Sequence, residues 1–275
     1  MSEVLLKRLE SALASMRPRI IACSGGIDSL LLAIVAHRAD PVYTRIVHAV
    51  SPAVQSEGSS RVRDWARREN LDVQFIDSGE FDDEHYLSNP SNRCYYCKSH
   101  LYSALNAVIT TAAVELPGAV VLSGTNLDDL GEYRPGLLAA GEAGVRHPYV
   151  EAKLSKADIR ALAHYLELDF AELPASPCLA SRLYTGTRVT ASRLRAVEAG
   201  EQLIRSMTGI GVVRCRLRED QVFIEVGDSD KAKLTSVLVE QVTQIMRVHE
   251  PAISGVFIDA QAYKPGRAFI VHEQL

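Results

Sequence analysis

The stretch that decides the fold is Arg19–Ser29, with the sequence RIIACSGGIDS, and it runs directly into the apolar segment Leu30–Ala36. Its pattern predicts a β-strand over Arg19–Cys23 and a helix over Asp28–His37. Two adjacent glycines between them let the backbone approach an anion closely. The amide groups of a tight turn and of a helix N-terminus then point at that anion. The stretch therefore predicts a phosphate-binding loop.

The rest of the first half alternates short strand patterns with helical ones, which is typical of an α/β fold with a parallel sheet covered by helices. Ser155 and Asp158 have the spacing of a capping box at the start of the last of these helices. The predicted elements after the first helix are strand 45–50, helix 59–69, strand 71–76, helix 94–114, strand 119–123 and helix 156–166.

A change of pattern divides the chain. Residues 173–186 are loop-like, and a helix, a hairpin, a second helix and a strand follow them. The hairpin is predicted over 212–217 and 222–226, and the last strand over 256–258. We therefore predict a phosphate-binding domain of residues 1–184 with a parallel sheet, and a smaller α+β domain of residues 185–275.

Composition narrows the function. The 275 residues are 47% hydrophobic and 23% charged, which suits a globular core. A net charge of −4 does not favour a nucleic-acid or membrane partner. The longest apolar run falls well short of the roughly 20 residues of a membrane span. Five cysteines, an odd number, do not indicate a disulfide framework. We expect a cytoplasmic enzyme without a signal peptide.

A second polar stretch, Ser123–Asp129 (SGTNLDD), follows the predicted strand 119–123. Ligands bind open α/β sheets at the carboxyl ends of the strands. The stretch is therefore predicted to line the same pocket as the first loop. The alternative is a loop rich in helix-capping Asn and Asp.

Three cysteines indicate metal or sulfur chemistry. Cys94 and Cys97 are three positions apart and lie on one face of a helix or turn, and Cys178 lies in the loop before the second domain. Three thiolates could hold three irons of a cubane cluster and leave the fourth iron open for hydrosulfide. A redox dithiol, a zinc site with a further ligand, and unrelated thiols stay open. Cys23 and Cys215 are predicted to be packing residues on strands.

Charged residues on the predicted hairpin suggest an anion site. Arg214 and Arg216 alternate along one strand, so both side chains leave the same face and could bind a phosphate together. Glu225 lies on the partner strand. The alternative is a solvated charged face. A second basic group on the predicted helix 59–69 is expected to be solvated surface; it consists of Arg61, Arg63, Arg67 and Arg68.

The motif SGGxDS at residues 24–29 resembles the PP-loop of the ATP pyrophosphatase superfamily, whose members cleave ATP between the α and β phosphates and adenylylate a substrate. SGTNxDD is similar to PP-loop enzymes of the sulfur-transfer type, where it lines the nucleotide site. The resemblance implies that ATP and Mg²⁺ are bound, with Asp28 helping to place the metal. The implied ATP-binding residues are Ser24, Gly25, Gly26, Asp28, Ser29, Gly124, Thr125, Asn126 and Asp128.

Three further runs narrow the resemblance: NRCYYCK at Asn92–Lys98, YRPG at Tyr133–Gly136 and SPCLASR at Ser176–Arg182. Over most of its length the chain looks like the LarE family of ATP-dependent sulfur transferases. Members adenylylate a carboxylate of pyridinium-3,5-biscarboxylic acid mononucleotide and convert it to a thiocarboxylate. The product leads to the nickel-pincer nucleotide cofactor of lactate racemase and related enzymes. We also expect a homo-oligomer, as among relatives.

The resemblance implies two routes for the sulfur. In the sacrificial version the cysteine of the PCLASR run, here Cys178, gives up its sulfur and ends as dehydroalanine. Members that also carry the CxxC hold a [4Fe-4S] cluster on three cysteines and deliver an extra sulfide. This chain has Cys94, Cys97 and Cys178. We therefore expect the cluster version, with sulfide or cysteine-derived sulfur as the source.

The family pattern also implies roles at the substrate end. Arg214 and Arg216 would bind the phosphate of the nucleotide substrate. Glu201 and Glu225 would bind a divalent metal. Arg182, four residues after Cys178, would act in catalysis by stabilising phosphate or lowering the pKa of the thiol.

Three other functions are alternatives to sulfur transfer of the LarE type. A tRNA-thiolating PP-loop enzyme also combines a CxxC, a third cysteine and adenylylation, but the acidic net charge disfavours tRNA binding. Sulfur-independent amidation, as in NAD or GMP synthesis, leaves the cysteines unexplained. A non-catalytic nucleotide- or metal-binding regulator is of a different class, and ATP turnover to AMP and pyrophosphate would exclude it.

Overall fold

The structure, a computed structural model, describes residues 1–112, 114–131 and 134–269. Contacts divide the chain into an N-terminal unit, Met1–Glu80 with Cys94–Ala175, and a C-terminal unit, Phe81–Arg93 with Ser176–Leu275. Tyr133 of the YRPG run lies outside the described residues.

This division differs from the predicted domains 1–184 and 185–275, because a segment from the middle of the chain packs in the C-terminal unit. The side-chain amide of Asn89 donates to the carbonyls of Tyr184 and Thr187 at 2.8 and 2.9 Å. The Gly186 amide in turn donates to the Asn89 carbonyl at 2.9 Å. Hydrogen bonds between residues about a hundred positions apart leave no local sequence signal.

A parallel sheet forms the N-terminal unit and confirms the predicted α/β class. Its strands are β1 (Arg19–Ala22), β2 (Thr44–Ala49), β3 (Val73–Ile76) and β4 (Val120–Leu122), in the order β3-β2-β1-β4. Successive residues of a strand point to opposite faces. Ile21 accordingly joins one buried cluster and Ile20 another. Helices cover both faces of the sheet.

The helices, numbered in chain order, are α1 (Ser2–Ala14), α2 (Ile27–Ala39), α3 (Ser56–Glu69), α4 (Glu84–Leu87), α5 (Arg93–Thr111), α6 (Pro135–Glu142), α7 (Pro148–Glu151), α8 (Lys156–Tyr165), α9 (Ala191–Thr208) and α10 (Ser236–His249). The predicted capping box is confirmed, because Ser155 and Asp158 cap α8 reciprocally. Among the described residues, no helix is both long and apolar enough to cross a membrane.

The C-terminal unit holds a second sheet. Its strands are β5 (Arg214–Arg218), β6 (Gln221–Glu225) and β7 (Gly255–Ile258). β5 and β6 form the predicted antiparallel hairpin, and β7 pairs with β6 in parallel. Helices α9 and α10 approach closely at Gly200, where a Cβ atom would lie 2.9 Å from the sulfur of Met246.

Strand order places a crevice in the N-terminal unit. The chain leaves β1 toward β2 on one side, whereas β4 pairs with β1 on the other side. Loops after two such strands diverge at the carboxyl edge of the sheet, and ligands of open α/β folds bind there. The loops in question are 23–26, after β1, and 123–126, after β4.

Candidate active site

The glycine loop, Ser24–Gly26, connects β1 to α2 and is held by two serines. The Ser29 hydroxyl accepts from the Ser24 amide at 3.0 Å and donates to the Gly26 carbonyl at 3.1 Å. The Ser24 and Ser29 hydroxyl oxygens lie 3.1 Å apart. Gly26 is the N-cap of α2 and offers no side chain to its first-turn amides. Those amides are therefore suited to an anionic ligand.

At two positions, Gly25 and Gly124, another part of the backbone lies so close that only glycine fits. Gly25 has φ +80°, and a Cβ atom there would lie 2.4 Å from the carbonyl oxygen of Gly58. At Gly124 a Cβ atom would lie 3.0 Å from the amide nitrogen of Ser29. The two polar stretches of the sequence therefore lie directly against one another, as predicted for a shared pocket.

Asp28 is the point where three segments meet. The Lys156 ammonium donates to Asp28 Oδ2 at 2.5 Å, and the Asn126 amide donates to Oδ1 at 3.4 Å. The backbone amide of Lys156 donates to Asp128 at 2.6 Å. The sequence placed Lys156 only at the start of a helix. Its partnership with Asp28, 128 positions away, had no local signal.

Buried polar side chains make hydrogen bonds to the residues around Asp28. The Tyr149 hydroxyl donates to the Asp28 carbonyl at 2.8 Å. Burial raises the pKa of Tyr149 well above its ordinary value, so the hydroxyl keeps its proton. The Ser123 hydroxyl lies 3.0 Å from that of Thr125 and 2.8 Å from His147 Nδ1. Burial lowers the pKa of His147, which favours a neutral ring.

The expectation that Arg61 belongs to solvated surface is wrong. Its guanidinium is partly buried and donates to the Gly25 carbonyl at 2.5 Å. Burial lowers the pKa of Arg61, although nearby acidic groups oppose this effect. Arg61 lies at helical spacing from buried Gly58 and Trp65, whereas Arg67 is exposed and pairs with Asp64 on its own helix. Fold topology brings Arg61 to the loop.

The CxxC cysteines lie on α5 of the N-terminal unit. Cys94 and Cys97 are both partly exposed near the start of the helix. Gly136 of the YRPG run lies against the same turn, because a Cβ atom there would be 3.0 Å from the Lys98 side chain and 3.6 Å from the Cys94 carbonyl. Two of the family runs therefore lie together.

The other two cysteines, Cys23 and Cys215, are buried packing residues, as predicted. Cys215 lies on β5, and Cys23 directly follows β1. Burial raises the pKa of both thiols. All five cysteines lie in the described ranges, and none forms a disulfide.

Cys178 lies on the surface of the C-terminal unit, at the start of a short 3₁₀ helix over Leu179–Arg182. Arg182 donates to the carbonyls of Pro177 and Cys178 at 2.6 and 3.2 Å. Its Nε and Nη2 both donate to Glu201 at 3.0 Å. The backbone that carries the exposed thiol is therefore fixed to α9.

Buried charge holds Arg182 in place. The side chains of Arg182 and Glu201 are each 1% exposed. Burial alone would lower the pKa of Arg182, but the charge and hydrogen bonds of Glu201 outweigh it and raise that pKa. Glu201 also accepts from the Cys215 amide at 3.0 Å.

The predicted phosphate ligands lie beside this pair. Arg216 donates to Glu225 Oε2 at 3.1 Å, and Arg267 donates to Oε1 at 3.0 Å. Arg214 stacks over the Tyr263 ring at 5.3 Å. Burial and the nearby Arg182 lower the pKa of Arg214. We call this group the arginine cluster; its members are Arg182, Arg214, Arg216, Arg267, Glu201 and Glu225.

The arginine cluster carries more positive than negative charge and suits an anionic ligand. The two glutamates, predicted as divalent-metal ligands, are each engaged by guanidinium groups. Among the residues that the structure describes, no three His, Cys, Asp or Glu side chains are grouped as metal ligands. The iron–sulfur set draws on both units and stays a prediction, as do the roles of Glu201 and Glu225.

Fold and site together define an α/β protein with a glycine loop at the carboxyl edge of a parallel sheet and an exposed cysteine, whose backbone is fixed by Arg182, in a second unit. No protein-family model matches the chain. It is 32% identical over 262 residues to the pyridinium-3,5-bisthiocarboxylic acid mononucleotide synthase of Lactiplantibacillus plantarum, covering 94% of this chain and 91% of that protein. The chain belongs to the family of this synthase, the LarE family.

Two further relatives have no described activity. An uncharacterised protein of Synechocystis sp. is 34% identical over 226 residues, 82% of each chain. An uncharacterised protein of Methanocaldococcus jannaschii is 28% identical over 245 residues, covering 89% of this chain and 90% of that protein. The family resemblance stated from the motifs is confirmed.

Proposed function

We propose that the protein is an ATP-dependent sulfur transferase of nickel-pincer nucleotide biosynthesis. It adenylylates a carboxylate of pyridinium-3,5-biscarboxylic acid mononucleotide and converts it to a thiocarboxylate. The observation that carries the proposal is the glycine loop, placed beside Asp28 in a chain 32% identical to a bisthiocarboxylate synthase.

Activation is needed because a carboxylate is a poor electrophile. Its oxygen attacks the α phosphorus of ATP, an O–P bond forms, and the bond to the bridging oxygen breaks. Pyrophosphate leaves with the electron pair. The sulfur of hydrosulfide then attacks the acyl carbon of the adenylate. A C–S bond forms, the C–O bond to AMP breaks, AMP leaves with that electron pair, and the thiocarboxylic acid loses its proton to solvent. Each step exchanges one bond for another and needs no oxidant.

The N-terminal unit has groups for the first step. Amides of the glycine loop and of the α2 N-terminus would stabilise the charge on the departing pyrophosphate. Asp28 is a carboxylate held by Lys156 and Asn126, and carboxylate oxygens are the ligands that Mg²⁺ prefers. Lys156 would add a positive charge beside the phosphates.

The C-terminal unit has groups for the substrate and the sulfur. The arginine cluster would bind the substrate phosphate through Arg214 and Arg216. Arg182 would hold the Cys178 backbone so that the thiol stays exposed. These interactions would orient the substrate and the loop that carries Cys178 before the reaction.

Cysteine thiolates are the usual ligands of iron–sulfur clusters. Cys94, Cys97 and Cys178 are suited to this role because each is at least partly exposed and none is in a disulfide. A [4Fe-4S] cluster on these three would leave one iron open to bind hydrosulfide as the sulfur supply. Iron and acid-labile sulfide in protein purified without oxygen test this. We expect about four irons per chain. No iron after reconstitution would indicate that Cys178 is a consumed donor.

The activity itself is tested by pyrophosphate release from ATP with Mg²⁺ and the biscarboxylate mononucleotide. We expect release only when the mononucleotide is present. Asp28→Asn keeps the side-chain shape and removes the charge, and should lower the rate by about 1000-fold. Asp64→Asn, on the exposed face of α3, is the control and should have no effect. Unchanged release by the Asp28 variant would contradict the proposal.

A further inference from the structure

Arg61 makes a contact that none of the motifs includes. It lies on α3, and its Nη1 donates to the carbonyl of Gly25 at 2.5 Å. Gly25 is the residue of the glycine loop with φ +80°. A charged side chain therefore holds the most unusual backbone conformation of the loop.

The direction of that hydrogen bond sets the direction of another group. In a trans peptide the C=O and the N–H point to opposite sides. The Gly25 carbonyl and the Gly26 amide belong to one peptide, so the amide points away from Arg61. The Gly26 nitrogen lies 3.5 Å from the Ser24 hydroxyl, which is too long for a strong hydrogen bond. The amide can therefore serve a ligand.

Without the hydrogen bond from Arg61, the Gly25–Gly26 peptide could rotate. Glycine populates positive and negative φ about equally, so a Gly-Gly peptide has little intrinsic preference for one orientation. Rotation would turn the carbonyl oxygen toward the anion and the amide away from it. The guanidinium of Arg61 stabilises the orientation that presents a donor.

The helix that carries Arg61 is itself attached to the loop. The His48 ring lies 2.7 Å from the Cys23 carbonyl through Nδ1 and 2.8 Å from the Ser59 hydroxyl through Nε2. A carbonyl only accepts, so Nδ1 carries the proton and Ser59 donates to Nε2. The Gly58 backbone lies against Gly25. Arg61 is therefore held at a fixed distance from the loop.

We propose that Arg61 is a positioning residue for the β and γ phosphates of ATP. It fixes the Gly25–Gly26 peptide so that the Gly26 amide faces these phosphates, and it adds a positive charge behind the loop. The inference rests on the ATP use proposed above and extends it to a residue outside the motif.

Calorimetric binding of ATP, pyrophosphate and AMP tests the inference on wild type, Arg61→Met and Arg61→Lys. The Met variant should bind ATP and pyrophosphate at least about tenfold more weakly, because a charge-assisted hydrogen bond is lost. AMP lacks the β and γ phosphates, so its affinity should change less than about twofold. Arg61→Lys keeps the charge and should be intermediate. Arg67→Met removes a charge from the exposed side of the same helix and is the control.

The outcomes separate the two proposals. Equal weakening of all three ligands would indicate general damage and overturn the inference. Wild-type affinity in Arg61→Met would overturn it and leave the proposed function intact. A wild type that binds neither ATP nor pyrophosphate would overturn both. If the Met variant does not fold, the same contrast between ATP and AMP is measured on Arg61→Lys, where about threefold is expected.

Discussion

The glycine loop and the arginine cluster are both suited to anions, but they are built from different groups. The loop uses backbone amides, and it requires the φ of +80° at Gly25 and the close approach of the Gly58 backbone. The cluster uses buried guanidinium groups that need Glu201 and Glu225 as partners. A site made of backbone depends on conformation, whereas a site made of buried side chains depends on charge balance.

This difference predicts different consequences of damage. A substitution in the loop should weaken nucleotide binding and cost less unfolding free energy than one in the cluster, because little buried charge is involved. A substitution in the cluster should affect the fold itself, because removing one partner leaves an uncompensated buried charge. Glu201→Gln and Gly25→Ala test this contrast directly. Cys178→Ala and His48→Asn test residues that lie next to the cluster and to the loop.

The largest effect is expected at Cys178, which lies next to the arginine cluster and is not needed for the release of pyrophosphate from ATP. Cys178→Ala should abolish thiocarboxylate formation, measured by mass spectrometry, because the variant lacks the third cysteine of the proposed iron–sulfur cluster. Substrate-dependent pyrophosphate release should persist. Ser176→Ala, two residues earlier in the same exposed stretch, is the control and should keep both activities. Thiocarboxylate from the Cys178 variant would show that this cysteine has no part in sulfur transfer.

Glu201→Gln should have the next largest effect. It leaves Arg182 buried without a negative partner, and breaking a buried pair in this way costs about 3–5 kcal/mol of unfolding free energy. Urea denaturation measures this cost. Glu84→Gln breaks an ion pair with Arg188 at the surface and is the control, for which we expect little change. Equal stability of the two variants would mean that the cluster does not depend on charge balance.

Gly25→Ala should weaken ATP binding by about 100-fold, because the left-handed backbone and the contact with Gly58 both resist a Cβ atom. Calorimetry measures the affinity. Gly79→Ala is a matched control, since Gly79 has φ +76° and nothing within 4 Å of a Cβ position. The control should bind ATP normally. If Gly25→Ala lost as much unfolding free energy as Glu201→Gln and kept its affinity for ATP, the loop and the cluster would not differ as described.

The smallest effect concerns His48 beneath the loop. Burial lowers the pKa of His48 below the ordinary value of about 6.5. The unfolded chain therefore binds a proton at a higher pH than the folded one. The stabilisation from the neutral ring is complete above 6.5 and is lost as the pH falls toward the pKa of the folded state.

Asparagine at position 48 does not titrate, which gives the measurement. The stability advantage of wild type over His48→Asn, from urea denaturation, should shrink between pH 7.5 and pH 5.5. His85→Asn, at an exposed position, is the control and should show a gap to wild type that does not change in this way. A gap that grows at low pH would contradict a buried neutral His48.

The sequence could predict features that depend on neighbours in the chain. The strand, glycine loop and helix of residues 19–37 and the capping box at Ser155 are of this kind. The hairpin of β5 and β6 is another. Helix α1 was not predicted, although Leu5, Leu9 and Leu13 recur at helical spacing and form its buried face. That signal was present in the sequence.

Features that depend on the assembled fold could not be predicted. Lys156 reaches Asp28 across 128 positions and Arg61 reaches Gly25 across 36. The alternation of Arg214 and Arg216 correctly indicated a shared strand. No sequence pattern indicated that Glu225 forms ion pairs with both Arg216 and Arg267. Pairing of buried charges follows from packing and has no period in the sequence.

The proposed function requires that one chain can transfer sulfur repeatedly. The most direct test counts thiocarboxylate groups formed per chain by protein purified without oxygen and supplied with ATP, Mg²⁺, sulfide and the pyridinium biscarboxylate mononucleotide. We expect more than one product per chain and an unchanged mass of the peptide that contains Cys178. No product at all, or a single product with Cys178 converted to dehydroalanine, would contradict it.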